Sequence, residues 1–408
     1  MKRLFSILLI LLIWYPVHCY AAWEDAESRT KWCAIVIDKD EVDAALSDFA
    51  VLLDASVFLT NAPNMLDSDE TDDCAQNGGG DLRFSSTEPT AADGTGATQI
   101  ACEVVSFVTN STPASATAEV QIPVASLSSV ADTIVYCAWY TSSTSSQPAI
   151  DSTYGAENVW DSNFKMVQHM SDTTTSSITD STDSNNDGTK KGAGEPVETT
   201  TAQIGEAQDF DGVDDYVSSA SVTSLPSGRE ARTLSFWMNP DNSDPGGTVI
   251  ALSNSNFFGQ SFIFLLATFG GDIYIYTDGK NATNNITITG DQIPVVGQWS
   301  LISFVFDGVS GWTYYLNGAQ KNSGSFAVTI NTTADKIVIG RREDGGFTGI
   351  YFPGIIDEFK MSNTARSADW ISTEYNNQNS PSTFAESGSI QTIGATTSNS
   401  QVIIVNFY

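Results

Sequence analysis

The chain consists largely of short runs of β-branched and aromatic residues separated by Gly, Asn, Asp and Ser. This spacing is typical of β-sandwiches and barrels, in which short strands follow one another through tight turns. Helical periodicity is scarce, so the pattern predicts an all-β protein. The clearest predicted strands are residues 32–37, 133–140, 164–170, 208–217, 233–239, 248–252, 262–268, 273–277, 299–307, 312–316 and 336–340.

The pair Asn317-Gly318 gives the clearest turn signal in the chain. A type I′ hairpin turn needs two residues that tolerate positive φ, and Asn-Gly supplies both. The sequence therefore predicts a two-residue β-hairpin between the runs on either side. Two segments are candidates for helix: residues 41–53 fit either one helix or a strand–turn–strand unit, and residues 365–375 fit a short helical turn.

The N-terminus has the order of a secretory signal. Lys2 and Arg3 precede an apolar run at 4–14, and small residues follow at Ala21 and Ala22. The apolar run is about half of the roughly 20 residues that a membrane span needs, so a cleaved leader is favoured over an anchor. We therefore predict a signal peptide at 1–21 and a secreted or cell-surface protein.

Composition narrows the classes of function. The chain has 408 residues with 49 acidic and 18 basic side chains, a net charge of −31, yet its 41% hydrophobic content is enough to bury a core. So acidic a surface disfavours nucleic acid and anionic membranes as partners. The two histidines are His18, within the predicted leader, and His169, which leaves little room for Ser-His or Cys-His catalysis.

Four cysteines remain after the leader, and all precede residue 140. An even number of cysteines in an oxidising compartment predicts disulfides, and metal binding is less favoured because no Cys-x-x-Cys spacing occurs. Three pairings are open. We favour Cys33 with Cys137, because each lies in a predicted strand, which leaves Cys74 with Cys102.

The C-terminal half contains six short motifs, in this order: Phe210–Val217, Thr233–Pro240, Gly297–Trp299, Tyr315–Gly318, Ile339–Gly340 and Gly354–Phe359. This series of motifs resembles that of LamG-like jelly rolls. The resemblance covers about residues 160–384 and implies a concanavalin A-like lectin/glucanase fold, in which two antiparallel sheets are stacked. Such a resemblance specifies the fold and says much less about the ligand.

The N-terminal half has its own series of motifs: Trp32–Ile37, Leu46–Leu53, Gly80–Phe84, Glu103, Val120–Leu127 and Tyr154-Gly155. With these motifs it resembles the secreted domain-of-unknown-function family numbered 2341, which often precedes a LamG-like jelly roll in bacterial surface proteins. The four cysteines depart from that family, and the resemblance implies no catalytic activity.

The two resemblances together divide the chain into four parts, and the expected architecture is two β-sandwich domains. The tail is a candidate edge strand because residues 401–408 are apolar. The parts are a signal peptide (1–21), a disulfide-bearing β domain of unknown function (22–159), a LamG-like jelly roll (160–384) and a C-terminal tail (385–408).

One polar loop has the spacing of a calcium site. Residues 183–188 match the first six positions of a D-x-N-x-D-G loop, but Gly194 stands where the bidentate Glu is expected. The alternative is an Asx-rich hairpin that caps its own backbone. The LamG resemblance implies an Asp- and Asn-rich loop here, and many members of that superfamily hold a structural Ca²⁺. The candidate calcium ligands are Asp180, Asp183, Asn185, Asp187 and Asp357.

A second acidic segment contains Asp211, Asp214 and Asp215. Three carboxylates within five residues are compatible with calcium, but Asp and Gly also supply the geometry of a tight turn between two strands. We favour the turn.

The sequence predicts a protein without catalytic activity. Retaining glycosidases place two carboxylates about 5 Å apart, and the Glu-x-Asp-x-x-Glu pattern that delivers them on one strand does not occur here. Asp357 and Glu358 are consecutive, so on a regular strand they would face opposite sides. A polysaccharide-active glycosidase is the least favoured alternative.

Binding is the favoured function. Aromatic faces that stack on sugars, with nearby amides for the hydroxyl groups, predict carbohydrate recognition by the jelly roll. The rival interpretation is a structural or adhesive surface protein that contacts proteins or copies of itself. Trp237 and Trp299 are expected in the core. The candidate sugar-contacting residues are Trp312, Tyr274, Tyr276 and Tyr351, near Asn281, Asn284 and Asn285.

Overall fold

The computed structural model describes residues 23–25, 27–69, 73–140, 144–173, 177–220, 222–241, 247–253, 262–266, 272–277, 285–327, 330–344 and 347–393. The predicted leader, Asn281, Asn284 and the apolar stretch 401–408 lie outside these residues. No helix in the described part of the chain is long and apolar enough to cross a membrane.

The N-terminal domain is a sandwich of two antiparallel sheets. One sheet has the order β1-β7-β3-β4 and the other has the order β2-β6-β5. Alternate residues of facing strands, such as Ile35, Val51 and Ile122, fill the core between them. The strands are β1 (Lys31–Ile37), β2 (Leu46–Asp54), β3 (Arg83–Ser85), β4 (Gln99–Ile100), β5 (Glu103–Val108), β6 (Thr117–Leu127) and β7 (Thr133–Trp139).

The C-terminal domain is a jelly roll of two eight-stranded antiparallel sheets. Sheet I has the order β18-β17-β16-β15-β22-β13-β10-β9, and sheet II has the order β11-β12-β25-β14-β19-β20-β21, with β8 beside β25. In the core, Phe236 and Phe264 pack edge to face, with their ring centroids 5.5 Å apart.

Most strands of the jelly roll are four to seven residues long. Those that coincide with a predicted run begin or end within two residues of it, whereas β9–β11, β18, β21 and β23–β25 were not among the clearest predicted strands. The predicted run 208–217 is divided by a turn into two strands. The strands are β8 (Phe164–Gln168), β9 (Ser177–Ile178), β10 (Gly188–Lys191), β11 (Val197–Thr199), β12 (Ala207–Asp211), β13 (Tyr216–Ala220), β14 (Arg232–Pro240), β15 (Gly247–Ser253), β16 (Phe262–Leu266), β17 (Ile273–Tyr276), β18 (Ile286–Ile288), β19 (Ser300–Phe306), β20 (Gly311–Leu316), β21 (Ala319–Ser325), β22 (Lys336–Ile339), β23 (Arg341–Asp344), β24 (Phe347–Tyr351) and β25 (Pro353–Ser362).

The predicted hairpin at Asn317-Gly318 is confirmed. Leu316 pairs with Ala319, and both turn residues have positive φ, 53° and 74°. The ambiguous segment 41–53 is not a helix: a 3-10 turn ends at Glu41 and β2 follows. The predicted helical turn at 365–375 is a full helix that ends four residues later, at Asn379.

Short helices connect the strands. The α-helices are α1 (Ser56–Leu59), α2 (Ala368–Asn379) and α3 (Pro381–Phe384). In the described residues, 3-10 turns occupy Lys39–Glu41, Pro63–Leu66, Pro113–Ser115, Ala156–Asn158 and Gly290–Gln292.

After the jelly roll, the chain returns to the N-terminal domain. The Ser367 hydroxyl caps α2 by accepting a hydrogen bond from the Trp370 N–H at 3.1 Å, and Trp370, Ile371 and Phe384 join the N-terminal core. Two short strands then pair with β1 as edge strands, β26 (Ala385–Ser387) and β27 (Gln391–Thr392). The C-terminal segment therefore fastens the two domains together.

The domains also meet through the second face of the β2-β6-β5 sheet. Leu52 points away from the N-terminal core and packs with Trp237 and Leu301 on the outer face of sheet II. Trp237 was expected in the core of the jelly roll, but it lies instead at the boundary between the domains. Trp299, also expected in the core, is only partly buried beside it.

Candidate functional site

Four half-buried tyrosines gather on the outer face of sheet I, and we call this group the tyrosine face: Tyr216, Tyr274, Tyr276 and Tyr351. Tyr274 and Tyr276 alternate along β17, so both project from the same side of the sheet. Their rings are nearly parallel, with centroids 6.2 Å apart and an interplanar angle of 16°. The ring centroids of Tyr216 and Tyr351 lie 6.5 Å apart.

Two arginines of β23 accompany these rings. The guanidinium carbon of Arg341 lies 3.6 Å from the ring centroid of Tyr216, and that of Arg342 lies 5.5 Å from the ring centroid of Tyr276. Glu343 forms ion pairs with Arg341 and with Lys336. The face therefore combines aromatic area with charged donors, which is a suitable surface for a polar ligand with apolar C–H edges.

The structure brings together three of the four predicted sugar-contacting aromatics. Trp312 lies apart from the tyrosine face, because it belongs to β20 of sheet II. Its ring stacks on that of Phe304, with the centroids 6.2 Å apart. Asn285 is exposed beside β18. Tyr216 and the two arginines were not identified from the sequence. They are far from β17 along the chain, and no motif in the sequence links them to it.

A cleft of about 500 Å³ lies between the domains. Its walls are mostly polar and include Ser47 and Asp48 from the N-terminal domain and Asn163 at the start of the jelly roll. Arg366 contributes to the lining, pairs with Asp161 at 2.7 Å and stacks 4.0 Å from the Trp370 ring centroid. Concave sites between domains are common ligand sites, so this cleft is a second candidate.

The predicted calcium loop is a hydrogen-bonded turn in the structure. Asp180 is buried, and its carboxylate accepts the backbone N–H groups of Val167 at 2.9 Å and Asn186 at 2.7 Å. Asp187 accepts the N–H of Asp180 at 2.8 Å, while the side-chain amide of Asn185 donates to the Asp183 carbonyl. These are the contacts of the Asx-rich alternative.

Asp357, the remaining predicted calcium ligand, takes part in none of the hydrogen bonds of this loop. One of its oxygens accepts the N–H groups of Gln203 at 3.1 Å and Ile204 at 2.9 Å. Burial and the neighbouring charge of Glu358 raise the pKa of Asp357 well above its usual value. Calcium at the loop stays a prediction.

The turn predicted at Asp211, Asp214 and Asp215 is confirmed. The Asp211 carboxylate accepts the N–H groups of Val213 at 2.7 Å and Asp214 at 3.2 Å, and Asp215 accepts the N–H of Asp211. One oxygen from each carboxylate also lies within 4.8 Å of the others.

The cysteine pair favoured by the sequence is placed across two neighbouring strands. Cys33 of β1 stands directly opposite Cys137 of β7, and both side chains are fully buried in the N-terminal core as free thiols. Burial raises the pKa of Cys33 to about 12. Cys102 is also buried and Cys74 is half-buried. The pairing itself stays a prediction.

A β-bulge overturns the expectation for Asp357 and Glu358. Pairing of β25 with β14 shifts register at this point, and Glu358 has a positive φ of 51°. Ile356 and Phe359 both face the core of the jelly roll, so the two acidic residues between them both face outward. Asp357 and Glu358 therefore lie on the same face of β25, although they are consecutive in the sequence.

The bulge directs Glu358 into a buried cluster that sequence reasoning missed. We call it the His169 cluster: Glu103, Glu119, His169, Glu358 and Lys360. His169 Nδ1 contacts Glu358 and lies 3.1 Å from Glu119 Oε1, while Nε2 lies 3.3 Å from Glu103 Oε2. Lys360 Nζ pairs with Glu358 Oε2 at 2.9 Å. Glu103 and Glu119 come from the N-terminal domain and the other three from the jelly roll.

Charges inside this cluster determine its protonation. Burial would lower the pKa of His169, but Glu358 and Glu103 raise it well above its usual value. Burial would raise the pKa of Glu358, but His169 and Lys360 lower it to about 2. Burial raises the pKa of Glu119 to about 7 despite the nearby imidazole.

Comparison with known proteins agrees with the fold. Residues 211–372 match the family model described as the concanavalin A-like lectin/glucanases superfamily, so the jelly roll predicted from the sequence motifs is confirmed. No curated protein matches the chain.

Several solved structures are similar to the chain at low identity. Domain 4 of AbnA, an extracellular arabinanase from Geobacillus stearothermophilus in complex with arabinotriose, is 19% identical with a TM-score of 0.41, over 52% of this chain and 98% of that one. The botulinum neurotoxin serotype D binding domain is 15% identical with a TM-score of 0.41, over 53% of this chain and 52% of that one. The chain therefore spans about half the length of the toxin domain, and at such identities the likeness concerns the fold alone.

Proposed function

We propose that the protein is a secreted or cell-surface, non-catalytic protein that binds carbohydrate through the tyrosine face. The observation that carries the proposal is the nearly parallel pair Tyr274 and Tyr276, half-buried on the outer side of sheet I with Arg342 beside it. Two such rings present a continuous aromatic surface on which the C–H faces of sugar rings stack.

The arginines support the choice of a polyhydroxylated ligand. A guanidinium group is planar and carries five N–H donors, so Arg341 over the Tyr216 ring and Arg342 over the Tyr276 ring suit hydroxyl or carboxylate oxygens of a saccharide. The tyrosine hydroxyl groups add further donors and acceptors. An apolar surface with a few directed polar groups is the usual composition of a small-molecule site.

Burial of the clustered acids supports a non-catalytic role. The bulge brings Asp357 and Glu358 together with Glu119, but each of these side chains is no more than 1% exposed. A polysaccharide cannot reach carboxylates at that depth, whereas a glycosidase needs both carboxylates against the scissile bond.

The export part of the proposal has its support in the sequence. The N-terminal leader pattern and the even number of cysteines after it fit an oxidising compartment. The resemblance of residues 22–159 to domain family 2341 fits a bacterial surface protein. The proposal also includes a structural Ca²⁺ held by Asp180, Asp183, Asn185 and Asp187. Its support is the spacing of these residues in the sequence.

A glycan array with and without Ca²⁺ tests the proposal. We expect saccharide binding by the wild-type chain, and a loss of at least about tenfold in affinity in Tyr274→Ala/Tyr276→Ala, because each stacking ring contributes about 1 kcal/mol. The matched control is Tyr136→Ala: Tyr136 is also a half-buried tyrosine in an aromatic pair, 5.6 Å from Trp32 on the N-terminal domain.

Three results would contradict the proposal. Unchanged saccharide binding in the double variant would move the site away from the tyrosine face, with the interdomain cleft as the alternative. A silent array together with self-association in light scattering would favour the structural or adhesive alternative. Release of reducing ends from a polysaccharide by the pure protein would show that it is an enzyme.

A further inference from the structure

Glu119 is the member of the His169 cluster whose charge is least well compensated. It is fully buried, and neither of its carboxylate oxygens accepts a hydrogen bond in the structure. His169 Nδ1 lies 3.1 Å from Glu119 Oε1, but this nitrogen carries at most one proton and the hydrogen bond is made to Glu358. A buried carboxylate that accepts no hydrogen bond is unfavourable unless a proton or a cation compensates its charge.

Gly205 closes the other side of this carboxylate. A Cβ atom at Gly205 would lie 2.3 Å from Glu119 Oε2, so the loop backbone approaches the glutamate as closely as a glycine permits. The close approach leaves the glutamate directed at His169 and Glu358.

We propose that the His169 cluster binds one divalent first-row transition metal ion, of the zinc class, through Glu119 Oε1, His169 Nδ1 and Glu358 Oε1. Each of these three residues offers one donor atom that lies within 4.8 Å of the donor atoms of the other two. Ligands at about 2.1 Å from zinc are at most about 3.6 Å apart in a trigonal arrangement, which the 3.1 Å between Nδ1 and Glu119 Oε1 already satisfies. The contact between Nδ1 and Glu358 opens when the ion replaces the shared proton.

The residues around the donors have the arrangement of an outer coordination shell. A histidine that ligates through one nitrogen usually donates the N–H of the other to a carboxylate. His169 Nε2 lies 3.3 Å from Glu103 Oε2 without a hydrogen bond in the structure, so this contact would tighten into that role when the ion binds. Lys360 Nζ holds the second oxygen of Glu358 at 2.9 Å and so orients its first oxygen toward the imidazole.

The donor set selects the class of metal. Ca²⁺ takes six to eight oxygen ligands at longer distances, and Mg²⁺ keeps several waters, so neither suits a closed site with an imidazole ligand. Two carboxylates and one imidazole suit zinc and its neighbours in the first transition row. Because Glu119 belongs to the N-terminal domain and the other two ligands to the jelly roll, the ion would link the domains.

The test uses the full mature chain without an affinity tag. The protein is freed of metal with a chelator, and Zn²⁺ is then added in one arm and Co²⁺ in another. We expect one ion per chain by elemental analysis, a visible ligand-field absorption with cobalt, and a melting temperature higher by roughly 3 °C at a zinc concentration about 100 times Kd.

Two variants assign the site. Glu119→Gln keeps the shape of the side chain and removes a ligand charge, so we expect it to lose the bound ion and the gain in melting temperature. The matched control is Asp214→Asn in the second close group of carboxylates, Asp211, Asp214 and Asp215, and we expect it to bind metal like the wild type.

The outcomes separate a metal site from a cluster held by protons alone. If the stripped wild-type chain takes up no zinc and gives no cobalt absorption, the proposal is wrong. Equal stoichiometry in wild type and Glu119→Gln, or a loss of metal in Asp214→Asn alone, also overturns it. Should Glu119→Gln fail to fold, the cobalt spectrum of the wild type decides, because a nitrogen ligand and an all-oxygen site give different absorption.

Discussion

Asn377 of α2 completes the backbone hydrogen bonding of Leu52 in β2. The Leu52 N–H donates to Asn377 Oδ1 at 2.8 Å, and Asn377 Nδ2 donates to the Leu52 carbonyl at 3.0 Å. Both residues are buried. The side chain of one helical residue thus takes the place of a neighbouring strand and joins the C-terminal helix to the N-terminal domain.

Replacing Asn377 with alanine is expected to destabilise the protein by about 2–3 kcal/mol. The change leaves a buried N–H and a buried C=O of Leu52 without partners, and each costs about 1–3 kcal/mol. Urea unfolding followed by tryptophan fluorescence measures the loss. The control is Asn379→Ala at the exposed end of α2, where the side chain bonds only to the nearby Ser380 hydroxyl. Equal midpoints for the two variants would show that α2 contributes little to the domain junction.

Gly205→Ala is expected to destabilise the junction between the domains by about 2–3 kcal/mol. The added Cβ would lie 2.3 Å from Glu119 Oε2, and Gly205 has a positive φ of 53°. Thermal unfolding measures the effect. Gly290→Ala is the matched control, since Gly290 also has a positive φ, 72°, but no atom lies within 4 Å of its added Cβ. If both variants lose the same stability, the backbone conformation and not the collision is responsible.

The sequence predicted an all-β protein because its strands are short, regular and separated by turn residues, and the jelly roll was implied by the resemblance of six motifs to LamG-like domains. The hairpin at Asn317-Gly318 and the alternation of Tyr274 and Tyr276 are local properties, and local properties can be predicted from neighbouring residues. The tyrosine face was only partly accessible to this reasoning. Tyr216 joins it from β13 and Tyr351 from β24, and nothing in the spacing of the chain links these strands to β17.

The His169 cluster could not be predicted, for a different reason. The alternation of side chains along a regular strand places Asp357 and Glu358 on opposite faces. The bulge in β25 breaks this alternation, and it arises from pairing with β14, more than a hundred residues earlier in the chain. The partners of His169 then come from β5 and β6 of the other domain, so the cluster exists only once both domains have docked.

Oxidation is expected to join Cys33 with Cys137. Their positions directly opposite on antiparallel strands fall in the range of Cα separations that a disulfide spans. A peptide map of protein from an oxidising compartment, made without reductant, should contain this linkage. Cys33→Ser should lower stability by about 2–5 kcal/mol under oxidising conditions and far less after reduction. A map that links Cys33 to Cys74 or Cys102 would contradict the assignment.

The last prediction concerns two glutamates, Glu198 on β11 and Glu206, the residue before β12. Burial, a side-chain hydrogen bond with Glu198 and the charge of Glu198 raise the pKa of Glu206 from 4.5 to about 7. The folded state therefore binds this proton more tightly than the unfolded state does. The stabilisation is fully present below about pH 4.5 and is lost as the pH rises through about 7.

Glu206→Gln should consequently be more stable than the wild type at pH 8 and nearly equal to it at pH 5. Glutamine keeps a donor for Glu198 at every pH and removes the repulsion between two carboxylates. Because both side chains are only partly buried, we expect a gain of no more than about 1 kcal/mol, which high salt reduces. Melting temperatures at the two pH values measure it, with Glu88→Gln at an exposed position as the control. A difference between Glu206→Gln and wild type that is the same at both pH values would exclude the shared proton.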